Sequence, residues 1–342
     1  MRRCYLALAG LIGCREQAPP PPPPTPPHDG VMLIQPGNPP LQPLRYHLAK
    51  GGKTLSRLVC DVDMKSPDLS GPMPSEIVDL EIAVDDVVAD GSARLRIAVT
   101  GAIIADRQSQ VATDAMRTQA EAMRGLVITE LLAPDGNVTE ARVEAGAATD
   151  KLHNELDTLL QSLGHVATRL PVEPVGVGAI WRERRTLPEG GIRAVSEITY
   201  TLTSLSGTTV GYTGAGMSSA VPQTVEQDGA RIEVTDTRGR STANGTIDLA
   251  RYAIDVATRS TFSTTMAMMP SMGSAGGGST GSADRTTIEI ATAIRITTSN
   301  GPLPPLPAAS GSDQGSGSGA GSAAPPTTRS ATDADQGAHK PP

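Results

Sequence analysis

Between residues 41 and 299 the sequence keeps a beat of two. Leu80, Ile82 and Val84 alternate with Glu81, Ala83 and Asp85, and Leu95, Ile97 and Val99 with Arg94, Arg96 and Ala98. Ile198, Tyr200 and Leu202 alternate with Glu197, Thr199, Thr201 and Thr203. Ile288, Ile290, Ile294 and Ile296 carry the pattern near the end. Successive side chains of a strand point to opposite faces, so this period marks strands with one buried and one wet face. Parallel sheets covered on both sides give continuous apolar runs, so the alternation selects an antiparallel sheet. Ala89-Asp90-Gly91, Pro134-Asp135-Gly136-Asn137 and Asn244-Gly245 lie between strand-like runs and carry turn chemistry. The expected class is α+β, mostly antiparallel β: a curved sheet or half-barrel with two inserted helices.

Both helices break the beat. Leu152, Leu156, Leu159, Leu160 and Leu163 recur at helical spacing. Thr149 suits the cap, Asp150 the positive end of the dipole and Gly164 the stop, which places a helix near 149–163. Ala112, Met116, Ala120 and Met123 form a second stripe, near 113–124. Such stripes pack against a sheet. Two segments also open alike. Lys50-Gly51-Gly52-Lys53-Thr54-Leu55 and Gly176-Val177-Gly178-Ala179-Ile180-Trp181 each lead from a Gly-containing turn into strand, turn and strand, which raises the hypothesis of two related halves.

The ends read differently. Pro19 to Pro24, Pro26 and Pro27 make a nearly continuous proline run, an extended polyproline spacer. At about 3.1 Å per residue, residues 14–40 would hold a domain up to roughly 80 Å from an attachment point. Residues 300–342 are Gly, Ser, Ala, Pro, Thr and Asp without apolar periodicity, a composition that cannot repay ordering. Met272 to Ser282 is expected to be a loop on the same ground.

Aromatic residues make up 2% of the chain, with one Trp and one Phe, so the core is expected to be aliphatic, built from Val, Ile, Leu, Met and Ala. That argues against nucleic-acid binding by base stacking, as does a formal charge of −7. An acidic chain is also not expected to cling to anionic lipid without an anchor. No apolar run approaches the length of a membrane-spanning helix.

The first fourteen residues supply an anchor. Arg2 and Arg3 precede the apolar run Tyr5 to Ile12, and Gly13 stands directly before Cys14. A charged start, an apolar stretch and a small residue at the cut make a secretory signal over residues 1–13. Leu11-Ile12-Gly13-Cys14 resembles the lipobox of bacterial lipoproteins. The resemblance implies cleavage between Gly13 and Cys14, diacylglycerol on the Cys14 sulfur and acylation of the new amino terminus. Membrane attachment would run through the acyl chains on Cys14. Arg15 follows, where Asp would imply inner-membrane retention, so the outer membrane is expected. Loss of Cys4 with the signal leaves Cys60 as the remaining thiol, expected to be a small hydrophobe in a strand.

Catalytic and metal motifs fail on inspection. Gly52-Lys53-Thr54 ends like a phosphate-binding loop, but His47 stands where its first Gly belongs. Gly176-Val177-Gly178 is followed by Trp181 where a dinucleotide turn has its third Gly. A calcium loop from Asp61 would need Gly and Glu where Ser66 and Pro72 stand. His28, His47, His153, His165 and His339 form no metal-binding spacing, and Gly216-Met217-Ser218-Ser219-Ala220 lacks the last Gly of a nucleophile elbow. Asn137-Val138-Thr139 and Asn244-Gly245-Thr246 are glycosylation sequons, not expected to be used in a bacterial lipoprotein. The expectation is a protein without enzymatic activity, cofactor or metal, and with no ligand-binding residue assignable from spacing.

Leu170-Pro171-Val172-Glu173-Pro174-Val175-Gly176-Val177-Gly178-Ala179-Ile180-Trp181 and Gly245-Thr246-Ile247-Asp248-Leu249 resemble a group of uncharacterised bacterial envelope lipoproteins. There the first segment enters a strand after a helix, and the second precedes a long closing hairpin. This chain has Gly178-Ala179 where the group more often has Gly-Asp. The group has no established activity to carry over, and Trp181 is expected to be a core anchor. Two functions follow from the residues. In one, the curved sheet encloses a cavity for an apolar ligand, resembling half-barrel lipoproteins that carry acyl chains, with Met266, Met268 and Met269 as part of an aliphatic interior. In the other, side chains fill the cavity and the protein is a structural or protein-interaction component of the envelope.

Overall fold

The structure, a computed structural model, describes residues 29–109, 113–144, 168–189, 192–227, 230–269, 285–299 and 301–306. Its first strands are β1 (Gly30–Gln35), β2 (Lys53–Lys65), β3 (Ser70–Pro72), β4 (Ser75–Val87) and β5 (Ala93–Ala105). The helix α1 (Asp114–Met123) follows, then β6 (Val127–Leu132) and β7 (Val138–Val143). The second part holds β8 (Ile180–Glu189), β9 (Ile192–Ser206), β10 (Thr209–Ala220) and β11 (Gln223–Gln227). It closes with β12 (Ala230–Asp248), β13 (Ala253–Met269) and β14 (Arg285–Ser299).

All the strands belong to one antiparallel sheet, curved and unclosed, in the order β1-β8-β9-β10-β12-β13-β14-β2-β4-β5-β6-β7. β11 pairs with β12 and β3 with β2. The two segments that open alike become β2-β4-β5 and β8-β9-β10, and in each the strands are spatial neighbours in chain order. β14 returns from the end of the chain to join β2 to β13, pairing Ile296 with Leu58 and with Val256.

One face of the sheet is lined with a core. Leu80, Ile82 and Val84 of β4, Leu95, Ile97 and Val99 of β5, and Ile128 and Leu132 of β6 supply one side of it. Trp181, Tyr200, Leu202, Val210, Tyr212, Ile247 and Ile254 supply another. Residues 36–52 cross between strands and contribute Leu44, Tyr46 and Leu48 in the same rhythm of two. They are held by backbone bonds: the Tyr46 N–H donates to Pro134 O at 2.8 Å and the His47 N–H to Leu249 O at 2.9 Å. Although aromatics are scarce, they are concentrated. Trp181 stacks on Tyr200 with centroids 5.3 Å apart, Tyr200 meets Tyr212 edge-on at 5.6 Å, and Tyr46 meets Tyr252 at 5.8 Å. Trp181 is fully buried, and its indole N–H donates to Arg169 O at 3.1 Å, satisfying the polar edge of the ring.

The structure moves three boundaries. β1 lies within the stretch read as spacer, because Val31 and Leu33 pack on the core and the strand pairs with β8. Residues 301–306, assigned by composition to the tail, strap across the sheet: Arg57 donates to Pro304 O at 2.6 Å, and Leu306 lies over Gly101, where a methyl group would collide with it. Arg57 is also held by a two-point bond to the Asp79 carboxylate, at 2.7 and 2.8 Å. Asn244-Gly245, read as a turn, sits inside β12 opposite Ala257 and Val256. The real turn is between Asp248 and Ala253, where Tyr252 adopts a φ of 52°. The other two turns form as expected, with Asp90 Oδ1 accepting from the Ser92 N–H and Asp135 Oδ1 from the Asn137 N–H. Helix α1 lies where its stripe placed it and buries Ala120 and Met123. The helix expected over 149–163 and the loop over Met272 to Ser282 lie outside the described residues.

Candidate binding surfaces beyond the core

Strands β10, β12, β13, β14 and β2 extend past the core, and their side chains change size along the way. On the core-facing side of β10, Val210 and Tyr212 give way to Gly214, Gly216 and Ser218. On β12, reading back from Ile247, the same face carries Gly245, Ala243, Ser241 and Gly239. On β13, Ile254 and Val256 give way to Thr258 and Ser260. The void left in the core proper is about 10 Å³, bordered by Leu58, Ile82, Tyr252 and Ile254 among others. A void of that size is no more than a single water needs, so the core around it is filled. Beyond it, the small side chains leave a cavity of about 380 Å³ on the same face.

Phe262, the one Phe in the chain, lines this cavity with Met266, Ile288 and Ile290. Cross-strand register puts Phe262 between Gly239 and Ile290, with Met64 one strand further on. Its ring lies across Gly239, where an added methyl group would stand 2.8 Å from Cδ2. Glycine therefore gives the ring a place to lie along the sheet. Side-chain polar groups facing this cavity are hydroxyls, among them Ser218, Ser241, Ser260 and Thr292. An apolar lining with a few polar groups is the usual make-up of a small-molecule site, and 380 Å³ falls in the usual size range.

The opposite face is also grooved. A groove of about 940 Å³ runs across the strands, and its lining comes in threes: Met217 to Ser219, Arg238 to Arg240, Thr261 to Ser263, Glu289 to Ala291, Asp63 to Lys65 and Ser70 to Pro72. The middle residue of each of the first five faces the core side. Its backbone is therefore the floor, and the outer two supply walls on the outward side. A second groove of about 800 Å³ continues it over β8, β9 and β10, sharing Met217 and Ser219.

Charges on the outward side are mostly matched. Lys65 pairs with Glu289 at 3.2 Å, Arg238 with Asp236 at 3.1 Å, Arg107 with Asp63 at 3.3 Å and Arg184 with Glu197 at 2.8 Å. Arg182, Arg193 and Arg240 have no acidic partner among the described residues. Asp61, where the calcium loop would have begun, and Asp63 both face Arg107.

Two buried carboxyls stand apart from these surfaces. Glu183 is almost wholly buried, bonded to Arg185 and 3.9 Å from Arg169, while its Oε2 has no hydrogen-bond partner among the described residues. Burial raises its pKa against the lowering effect of Arg185. Glu130 faces the core from β6 opposite Leu95, and burial pushes its carboxyl up to about 7. Cys60 is half-buried beside Glu76; burial first, then the charges of Glu76 and Asp61, push the thiol up to about 11, which keeps it protonated and unreactive at neutral pH. The described residues contain no cluster of three or more His, Cys, Asp and Glu able to hold a metal.

Gly13 and Cys14, the residues assigned to cleavage and lipidation, lie outside the described residues. Trp181 is in the core. Met266 lines the cavity, and nothing is described of the side chains of Met268 and Met269. Phe262 was not singled out by sequence. The signal that would have found it is the fall in side-chain size along one face of β10, β12 and β13. No protein-family model, no curated protein and no solved structure matches the chain. No helix among the described residues is long and apolar enough to cross a membrane.

Proposed function

We propose that this protein is a lipid-anchored component of the cell envelope, held through Cys14 at the outer membrane, that binds an apolar ligand against the core-facing side of its curved sheet. The observation that carries the reading is the cavity of about 380 Å³ bordered by Phe262, Met266, Ile288 and Ile290. It begins where the core-facing side chains of β10, β12 and β13 shrink to Gly, Ser and Ala, while the core below leaves only about 10 Å³. A chain selected only for a filled sheet would carry large side chains along the whole face. The role proposed is binding, supported by the apolar side chains and hydroxyls that border the cavity on the core-facing side. The filled core also supports a second reading, in which the protein is a structural or protein-interaction component of the envelope and holds no ligand.

Native mass spectrometry of the full chain from a mild preparation separates the two. An adduct of lipid mass, absent from Ser241→Leu, supports the ligand. A bare mass in the parent chain favours the structural component. Cys14→Ser tests the anchor independently: the lipoprotein reading requires an unlipidated precursor, and an unchanged mass with unchanged attachment would overturn it.

A further inference from the structure

The outward side of the sheet carries an apolar and basic surface that neither the core nor the cavity uses. Among the described residues seven large apolar side chains are exposed, and four of them are Met32, Ile34, Met217 and Val221. Met32 and Ile34 alternate with Val31 and Leu33, which pack on the core, so the first pair points away from it. Met217 and Val221 are 68% and 74% exposed and border the groove over β8, β9 and β10. Single exposed apolar residues are ordinary, but a group on one side of one sheet marks a contact surface.

Three cations without an acidic partner among the described residues lie on the same side. Arg182 stands between buried Trp181 and Glu183, and directly opposite Met32 on β1. Arg193 precedes the buried Ala194. Arg240 is opposite Met217 in the pairing of β10 with β12. Two acids of this side are already engaged, Glu197 by Arg184 and Asp236 by Arg238. A chain with a net charge of −7 thus presents three uncompensated arginines among four exposed apolar side chains.

The amino-terminal segment enters the fold at this surface. Asp29 accepts hydrogen bonds from the Thr186 N–H and hydroxyl, both at 3.0 Å, and stands 4.0 Å from Arg184. Thr186 and Arg184 border the groove that Met217 and Val221 also border. Residues 15–28 separate Asp29 from Cys14, a reach of no more than about 50 Å even when fully extended.

We propose that the outward side of β1, β8, β9, β10 and β12 rests on an anionic lipid surface, with Arg182, Arg193 and Arg240 against headgroup phosphates and Met32, Ile34, Met217 and Val221 at the acyl boundary. The proposal takes its orientation from the Cys14 anchor. It leaves the core-facing cavity directed away from the bilayer. Net charge opposes this contact at long range. At the contact itself local charges decide, because screening confines their effect to within about 10 Å at ordinary ionic strength.

The test uses the chain from residue 14 onward, the mature form of the lipoprotein reading, carrying Cys14→Ser so that neither an acyl chain nor the apolar run Tyr5 to Ile12 contributes, with sedimentation on phosphatidylcholine vesicles containing 30 mol% phosphatidylglycerol or none. Binding to the anionic vesicles, and its loss in 1 M salt, is expected. Each of Arg182→Gln, Arg193→Gln and Arg240→Gln should lower partitioning by about fivefold, and the triple variant by about a hundredfold. Met217→Ser with Val221→Ser should weaken binding in low salt without changing the salt dependence. Equal sedimentation of the parent chain and the triple arginine variant would overturn the proposal, as would no sedimentation of the parent chain. A soluble polyphosphate bound as tightly as the vesicles, with no effect of the Met217 and Val221 changes, would assign the surface to a free polyanion instead. Thermal unfolding of every variant checks that these exposed substitutions leave the fold intact. Lipidation is read separately, from the mass of the natural amino terminus, so the anchor and the surface can fail independently.

Discussion

The two halves of the long strands share a backbone and differ in what it carries. Near the turns β9–β10 and β12–β13 the core-facing side holds buried Trp181, Tyr200, Tyr212, Ile247 and Ile254, and the void beside Ile254 is about 10 Å³. Further along the same strands it holds Gly216, Ser218, Gly239, Ser241 and Ser260, and the void is about 380 Å³. Hydrogen-bond pairing of β12 with β13 runs through both halves in one antiparallel ladder, with a single register shift near Val234. The ladder therefore supports the sheet in both regions, and side-chain volume alone separates a packed core from an open surface. This sheet uses one half to hold itself together and leaves the other half free to bind.

That comparison can be broken by mutation, most severely in the packed half. Trp181→Ala removes a fully buried ring together with its stacking on Tyr200 and its bond to Arg169, and should cost about 3–5 kcal/mol in denaturant unfolding. A cost below about 1 kcal/mol would mean that the core around Trp181 is loosely packed. Glu130 offers the next largest effect, with a sign set by pH. Its carboxyl is raised to about 7 in the fold from an ordinary value near 4.5, so the native state binds the proton more tightly than the unfolded chain. Its contribution is fully present below about pH 4.5, falls as pH rises, and is lost above about pH 7. Glu130→Gln should therefore be worth roughly 3 kcal/mol of added stability at pH 8 relative to its effect at pH 4. A difference between the two proteins that stays constant across that range would show that Glu130 keeps its ordinary pKa.

The open half should respond weakly in stability and strongly in binding. Phe262→Ala exposes a side chain that already borders a cavity, and should cost about 1 kcal/mol while abolishing any lipid adduct in native mass spectrometry. Ser241→Leu should shift unfolding by less than about 1 kcal/mol, because the added volume enters existing space, while excluding the same adduct. If Phe262→Ala destabilised as much as Trp181→Ala, the division into packed and open halves would be wrong.

Much of this fold was legible in residue order. Alternation through Leu80 to Val84, Leu95 to Val99 and Ile198 to Leu202 gave β4, β5 and β9, because a strand with one wet face must alternate. Helix α1 followed from the spacing of Met116, Ala120 and Met123. β1 was missed: Val31-Met32-Leu33-Ile34 is apolar at every position, and the prolines before it read as spacer. Asn244-Gly245 misled for the opposite reason. Its turn chemistry is real, but a Gly inside a strand also serves where a neighbouring side chain, here that of Val256, comes close. The cavity was less legible still. Small residues at every second position of β10 and β12 look like weak strand signal until register aligns them beside Phe262.

Sequence by itself determined that the chain would build an antiparallel sheet, that its end segments would differ in composition from the part between, and that Cys14 would follow the lipobox-like Leu11-Ile12-Gly13. These are local properties, set by the two-residue period of a strand and by composition. Only the tertiary structure decided that β14 would join β2 to β13, that Gly239, Phe262, Ile290 and Met64 would form one row, and that Met32, Met217, Arg182 and Arg240 would share one side. Such juxtapositions depend on which strands pair and in what register, and long-range pairing is fixed by the packing of the whole sheet, not by any segment of it.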